Sequence, residues 1–297
     1  MRNTKILLII IALFTGIMFM CIGCVINDEK LDSNEVSGAL HESTTAESMS
    51  EKRNETAVLE NNTLGKIDSG EDKKEIKLPL EGLTICIDAG HGNVTKATNL
   101  KEPIAPGSDI MKAAVATGTS GVSTKITEAS LNLTVSKKLK KALTDKGANI
   151  LMIREADNCN LTNVERTKLW NSSGADLTIR IHANGINDSS VSGILMMVPG
   201  NKYIKDKEMI DKSKLFGQYI LNGVLKYTKA KSRGTVMSDE LTGFNWSEIP
   251  VVLLEMGFMT NPKEDELLNT DSYQDKIVTG IVEGVEKYQS SINIETK

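Results

Sequence analysis

Histidine is scarce in this 297-residue chain: His41, His91 and His182 are the only three. A site built from many imidazoles is therefore excluded, and any histidine-based metal site is almost fully specified in advance. Positive charge is not in excess either. Lys and Arg number 35 against 39 Asp and Glu, a formal net charge of −4, whereas a dedicated nucleic-acid binder would carry a basic surplus. Charge is absent from Ile6 to Ile26, and no polar face breaks that run, so it reads poorly as a core helix. Aromatic residues are absent from 27–80, where Glu, Ser, Asn, Thr and Lys dominate. Such a stretch cannot bury enough apolar surface to offset chain entropy.

What is present divides the chain. Residues 1–26 carry Arg2, Lys5 and no acid, ahead of a 21-residue apolar run; this is the pattern of an export signal. Two fates are open. The run is long enough to span a bilayer, which takes about 20 apolar residues. Alternatively, Ile22-Gly23-Cys24 resembles the end of a bacterial lipobox, with Cys24 as the lipidated cysteine, although Cys21 stands where that motif usually has Leu. Both fates put the rest of the chain outside the membrane, in the cell envelope. Residues 27–80 are expected to be a disordered acidic tether of net charge −6, in which His41 is a solvated side chain. Residues 81–297 carry equal numbers of acids and bases, and their texture is that of a globular domain, expected over 81–290 with a tail at 291–297.

Strand and helix patterns alternate through this part. Leu83 to Ile87 is a short β-rich run ending in Asp88-Ala89-Gly90-His91-Gly92, a strand followed by a glycine turn. Residues 93–127 are loop-like, with Pro103, Pro106, Gly107, Gly118 and Gly121 among many Thr and Ser. A helix is expected from Glu128 to Lys146, with Leu131, Val135, Leu139 and Leu143 on one stripe and Gly147 as its stop. Asn149 to Arg154 reads as a strand. Thr162-Asn163-Val164-Glu165 has the form of a capping box opening another helix. Asp176 to His182 is a strand with Thr178, Arg180 and His182 on one face. Gly193 to Val198 is a further strand, 206–228 a long helix, Ile249 to Met256 a strongly apolar strand, and 272–289 a closing helix. The expected fold is therefore α/β: a mostly parallel twisted sheet with helices on both faces, in a single catalytic domain.

In such sheets ligands bind beyond the carboxyl ends of the strands. His91 follows the first strand, His182 ends the third, Glu255 lies near the end of the last, and Glu128 opens the first helix. Two histidines and a carboxylate suit a catalytic zinc with one open position, leaving a second carboxylate as general base. Position alone leaves the alternative that these are surface or satisfied core residues. Glu255 stands out, because a carboxylate in an apolar strand is costly unless it is paired or lies near a cation. A buried salt bridge, for example to Arg166, is its bland explanation.

The motifs narrow this. Asp88-Ala89-Gly90-His91-Gly92, Glu128 with Asn132-Leu133, Met152-Ile153-Arg154, Glu165-Arg166, Ala175-Asp176-Leu177, Ile181-His182-Ala183-Asn184 and Leu254-Glu255-Met256-Gly257-Phe258-Met259-Thr260-Asn261-Pro262 occur in order over about 82–289. Together they resemble the zinc-dependent N-acetylmuramoyl-L-alanine amidase family of the amidase-3 type. The resemblance implies one zinc held by His91, Glu128 and His182, with Glu255 as the catalytic carboxylate. The implied reaction is hydrolysis of the amide joining N-acetylmuramic acid to L-alanine of the peptidoglycan stem peptide. A further zinc amidohydrolase of the wall, peptidase or deacetylase, and a catalytically inactive tethered wall-binding module are the rival readings.

Four more residues are candidates for binding substrate or supporting the centre. Asp88 is placed to orient a ligand imidazole, or else simply forms the turn. Arg166 and Asn184 belong to the matched motifs. Arg180 departs from the family, many of whose members have Ser there; sharing His182's face, it is expected to bind a substrate carboxylate or Glu255, the alternative being an outward, solvated side chain. The stretch between His91 and Glu128 is longer than in compact members. It reads as a substrate-side loop, and because it lacks a long amphipathic helix, autoinhibition is the secondary reading. Cys86 and Cys159 receive no catalytic role, and their pairing is open.

Overall fold

The computed structural model describes residues 77–92 and 99–295. The expected signal or anchor with Cys24, and the tether with His41 up to residue 76, lie outside the described residues. Among the described residues no helix is long and apolar enough to cross a membrane.

Among the described residues eight strands and six helices follow one another: β1 (Thr84–Ala89), β2 (Lys101–Pro103), β3 (Met111–Ala113), α1 (Glu128–Thr144), β4 (Asn149–Met152), α2 (Asn163–Ser172), β5 (Leu177–Asn184), β6 (Ile194–Pro199), α3 (Lys207–Thr228), β7 (Ser232–Ser238), α4 (Thr242–Asn245), β8 (Val251–Phe258), α5 (Pro262–Leu268) and α6 (Asp271–Glu295). The main sheet has the order β4-β1-β5-β8-β6-β7. Every neighbouring pair is parallel except β6 with β8. The expected mostly parallel α/β domain is therefore what forms, with one antiparallel joint.

Local chemistry sets the helix ends. The Thr127 side chain accepts from Ser130 N at the start of α1. At α2 the capping box forms in both directions: Thr162 Oγ1 accepts from Glu165 N at 3.1 Å, and Thr162 N donates to Glu165 Oε2 at 2.8 Å. Gly147 takes φ +95° after α1, a left-handed turn that glycine adopts without the steric cost of a Cβ.

The two faces of the sheet differ in content. Ile85 and Ile87, Ile179 and Ile181, Val252 and Leu254, and Ile194 and Met196 join Leu131, Val135, Leu139, Phe216, Ile220, Ile281 and Val285 of α1, α3 and α6 in the main core. The opposite face carries two small apolar clusters, one around Trp170 of α2 and one around Phe244 of α4. Between them lie buried charges.

Several boundaries move. Leu80 is fully buried and its amide bonds to Lys146 O, so the ordered packing begins before residue 81. The last helix continues to Glu295, so 291–295 are not a tail; no breaker follows Gln289, and Ile292 packs against the main core. β7 was not anticipated. Ser, Arg and Gly fill its first half, and as a half-exposed edge strand it needs little apolar patterning. Within the presumed loop, β2 and β3 form an antiparallel hairpin too short to leave a periodic signal.

Candidate metal centre

The carboxyl ends of β1 and β5 and the first turn of α1 converge on three side chains, His91, Glu128 and His182, whose possible ligand atoms all lie within 4.8 Å of one another. Glu128 Oε1 is 3.0 Å from His91 Nε2 and 3.0 Å from His182 Nδ1. The two rings are nearly perpendicular, their centroids 4.8 Å apart.

Each side chain is held from behind. His91 sits in the turn after β1 with φ +60°, a conformation uncommon for a residue with a Cβ. Its Nδ1 donates to Ala116 O at 2.8 Å, which leaves the Nε2 lone pair facing Glu128. The turn itself is gripped by arginines. Arg154 donates to Ala89 O at 2.8 Å, to Gly90 O at 2.9 Å and to Ala129 O at 2.7 Å, joining the His91 turn to the start of α1. Arg166 donates to Ala89 O and His91 O. Gly90 packs against the His182 ring so closely that a Cβ there would lie 2.3 Å from Cε1; no other residue fits. Glu128 Oε2 accepts from Thr119 N at 3.0 Å, and Oε1 from Asn132 Nδ2 at 3.2 Å and Ala183 N at 3.3 Å.

Charge is distributed accordingly. Burial alone would raise the Glu128 carboxyl, but the hydrogen bond with His182 and then the adjacent His91 ring hold it well below the ordinary range. Burial brings His182 down to about 4 against the opposing hydrogen bond from Glu128, so it is neutral at physiological pH, as a metal ligand must be. Its Nε2 is buried and has no protein partner. Two imidazoles, one with an orphaned nitrogen, and a carboxylate form a donor set that fits a divalent metal such as zinc.

Glu255 lies on the strand next to His182, directly opposite it in register. Burial, and then the charge of Glu128, push its carboxyl well above the ordinary value, with Arg180 opposing. Its Oε2 is buried without a partner. The salt bridge to Arg166 considered from the sequence is not made, because Arg166 spends its charge on Asp88.

The supporting residues separate. Asp88 is fully buried and accepts from Arg166 Nη1 at 2.7 Å and Arg180 Nε at 2.9 Å. Its partners are guanidinium groups rather than an imidazole, because Arg180 lies opposite it in register. Arg180 is buried, not solvated, and ion-pairs with Asp88 and not with Glu255. Asn184 closes the turn after β5: its Oδ1 accepts from Gly185 N and its carbonyl from Met259 N, each at 2.8 Å. Cys86 and Cys159 are buried free thiols.

Sequence reasoning gave no role to Arg154, to Asp265 or to the 116–119 segment. Asp265 is fully buried and accepts from Ser123 N at 2.7 Å and Thr124 N at 2.8 Å, fixing the approach to α1. An arginine ending the Asn149–Arg154 run at the carboxyl edge of the sheet was the available signal for Arg154. Residues 99–127 contain no helix among the described residues; Trp246 Nε1 donates to Pro103 O and Asn245 Nδ2 to Ile104 O, pinning the hairpin beside the site.

A three-layered α/β domain with this cluster at the carboxyl edge of its strands is the architecture of an enzyme with a candidate metal centre. A model of the N-acetylmuramoyl-L-alanine amidase family matches residues 85–287, and the chain belongs to that family. YqiI of Bacillus subtilis is 30% identical over 210 residues, covering 71% of this chain and 86% of YqiI. The germination-specific N-acetylmuramoyl-L-alanine amidase of the same organism is 28% identical over 235 residues, covering 72% of this chain and 83% of that protein. The crystal structure of an N-acetylmuramoyl-L-alanine amidase from Clostridium difficile 630 superposes with a TM-score of 0.58 at 28% identity, covering 70% of this chain and 97% of that one.

Proposed function

We propose that this chain hydrolyses the amide between N-acetylmuramic acid and L-alanine of the stem peptide, using one zinc ion held by His91, Glu128 and His182. The observation that carries the reading is the convergence of three donor side chains with a fourth, unpaired carboxylate, Glu255, one strand away. A zinc ion held there supplies Lewis acidity toward the attacking water and the scissile carbonyl.

The protein's own residues do the rest. Glu255 removes the proton from the attacking water and delivers it to the departing nitrogen of L-alanine, leaving a carboxylate on the lactyl group. Its buried setting raises the carboxyl's proton affinity above that of an ordinary glutamate, which favours taking up the water's proton. Ala116 O fixes the His91 tautomer, and Thr119 N and Asn132 orient Glu128. Asp88 ion-pairs with both Arg166 and Arg180 beneath the centre.

The apolar run at Ile6 to Ile26 supports action outside the cytoplasmic membrane, with the domain anchored either through lipidated Cys24 or through a retained helix. Intact mass of the mature N-terminus separates these two.

Digestion of purified muropeptides by the zinc-loaded protein tests the reaction. Stem peptides with a free L-alanine N-terminus are expected. New amines within the peptide would make the protein a peptidase, acetate a deacetylase, and binding without any product a wall-binding module.

A further inference from the structure

Behind the two histidines lies a small cavity of about 40 Å³, whose lining includes His91, Ala114, Cys159, Arg166, Arg180 and His182. The two arginines there are not equivalent. Arg166 is fully engaged, donating to Leu161 O, Asp88, Ala89 O, His91 O and Cys159 Sγ. Arg180 donates only through Nε, to Asp88. Its side chain is 6% exposed, its guanidinium rests over the Trp170 ring at 5.9 Å, and Gly243 leaves room for Nη1, which a Cβ there would approach to 2.7 Å. Its two terminal nitrogens meet no acceptor among the described residues, and the fork they form matches a carboxylate. Charge points the same way: Asp88 neutralises one of the two arginines it touches and leaves a positive charge over.

We propose that this cavity is a carboxylate pocket and that Arg180 is a specificity-determining residue, receiving through Nη1 and Nη2 a carboxylate presented beside the two histidines. The identity of that carboxylate rests on the amidase reading; the pocket does not. Two sources share the chemistry: a free carboxyl on the stem peptide, and the lactyl carboxylate left on N-acetylmuramic acid after cleavage. In the first case Arg180 selects substrates, and in the second it holds the product.

The test uses the full-length zinc-loaded protein and the variants R180Q and R180K. Titration with acetate is read by tryptophan fluorescence, because Trp170 is one of only two tryptophans and lies against Arg180. A saturable response is expected in the wild type and a roughly 10–100-fold weaker one in both variants, the scale of a charge-assisted hydrogen-bonded pair. Acetate held by the metal alone would respond equally in all three proteins. Kinetics separate the sources. A KM that rises by a similar factor for stem peptides with free carboxyls, but not for amidated ones, assigns the pocket to substrate; weakened inhibition by N-acetylmuramic acid assigns it to product. R180K keeps the positive charge against Asp88 and loses the fork, so it carries the variant arm if R180Q does not fold. The proposal is overturned if the wild type shows no saturable acetate response, or if the response, KM and inhibition are unchanged in a folded variant. Turnover with none of these effects overturns the pocket alone; acetate binding without turnover overturns the amidase reading alone.

Discussion

Strand β5 belongs to two different proteins on its two faces. Leu177, Ile179 and Ile181 point into the apolar core beneath α1, α3 and α6, where the side chains are aliphatic or aromatic and buried. Thr178, Arg180 and His182 point the other way, into a layer containing Asp88, Arg166, Glu128 and Glu255. The first face follows the physics of hydrophobic burial, at roughly 25 cal/mol per Å² of apolar surface removed from water. The second spends desolvation energy that a leucine in the same place would not. A period-two strand lets one segment do both, so the charged layer is backed by a core it does not interrupt.

Substitutions on the two faces should therefore fail in different ways. The largest effect is expected for Glu255→Gln: hydrolysis falls by about 10²–10⁴-fold, the scale of an acid–base group, while bound zinc and thermal stability stay at wild-type level or above. Loss of the metal along with activity would show Glu255 to be structural. Asp88→Asn comes next. It strips the counter-charge from two buried guanidinium groups, and unfolding titrations should report about 3–5 kcal/mol of lost stability. Its pH dependence has a definite sign. Burial pulls the Asp88 carboxyl upward, but Arg166 and Arg180 hold it well below the ordinary range. The gap between wild type and D88N is then full above about pH 4, the unfolded value, and closes as pH falls below it. A gap that widens in acid would refute the pairing.

The apolar face breaks differently. Leu139→Ala in α1 should cost about 2–5 kcal/mol through the cavity it leaves, yet the folded fraction should bind zinc and turn over substrate normally. Reduced activity per folded molecule would mean that the two faces are mechanically coupled. Thr127→Ala is the smallest expected change: about 1 kcal/mol for the lost helix cap, with zinc affinity falling because Glu128 is the first residue of that helix.

The apolar half of this division was readable in the sequence. The Leu131-Val135-Leu139-Leu143 stripe and the alternation in β5 each named a buried face, and the scarcity of histidine left His91 and His182 as the available imidazoles. The charged half was only partly readable. Sequence spacing located Asp88, Arg166 and Arg180 without their pairing, because which guanidinium meets which carboxylate depends on sheet register, here Asp88 opposite Arg180. Arg154 escaped for a related reason: its partners are backbone carbonyls of Ala89, Gly90 and Ala129, and a carbonyl has no side-chain signature. Likewise the support that Ala116 and Thr119 give to His91 and Glu128 runs through main-chain atoms, invisible to any residue pattern.

The central claim is that the charged face exists to hold one catalytic zinc. Metal content and affinity, measured by mass spectrometry of the purified chain and by competition with a chelating dye, test it most directly. The wild type and E255Q should each hold about one zinc, while His91→Ala, Glu128→Ala and His182→Ala should each lose it and remain folded through the apolar core. Zinc binding unchanged by those three substitutions would contradict the account.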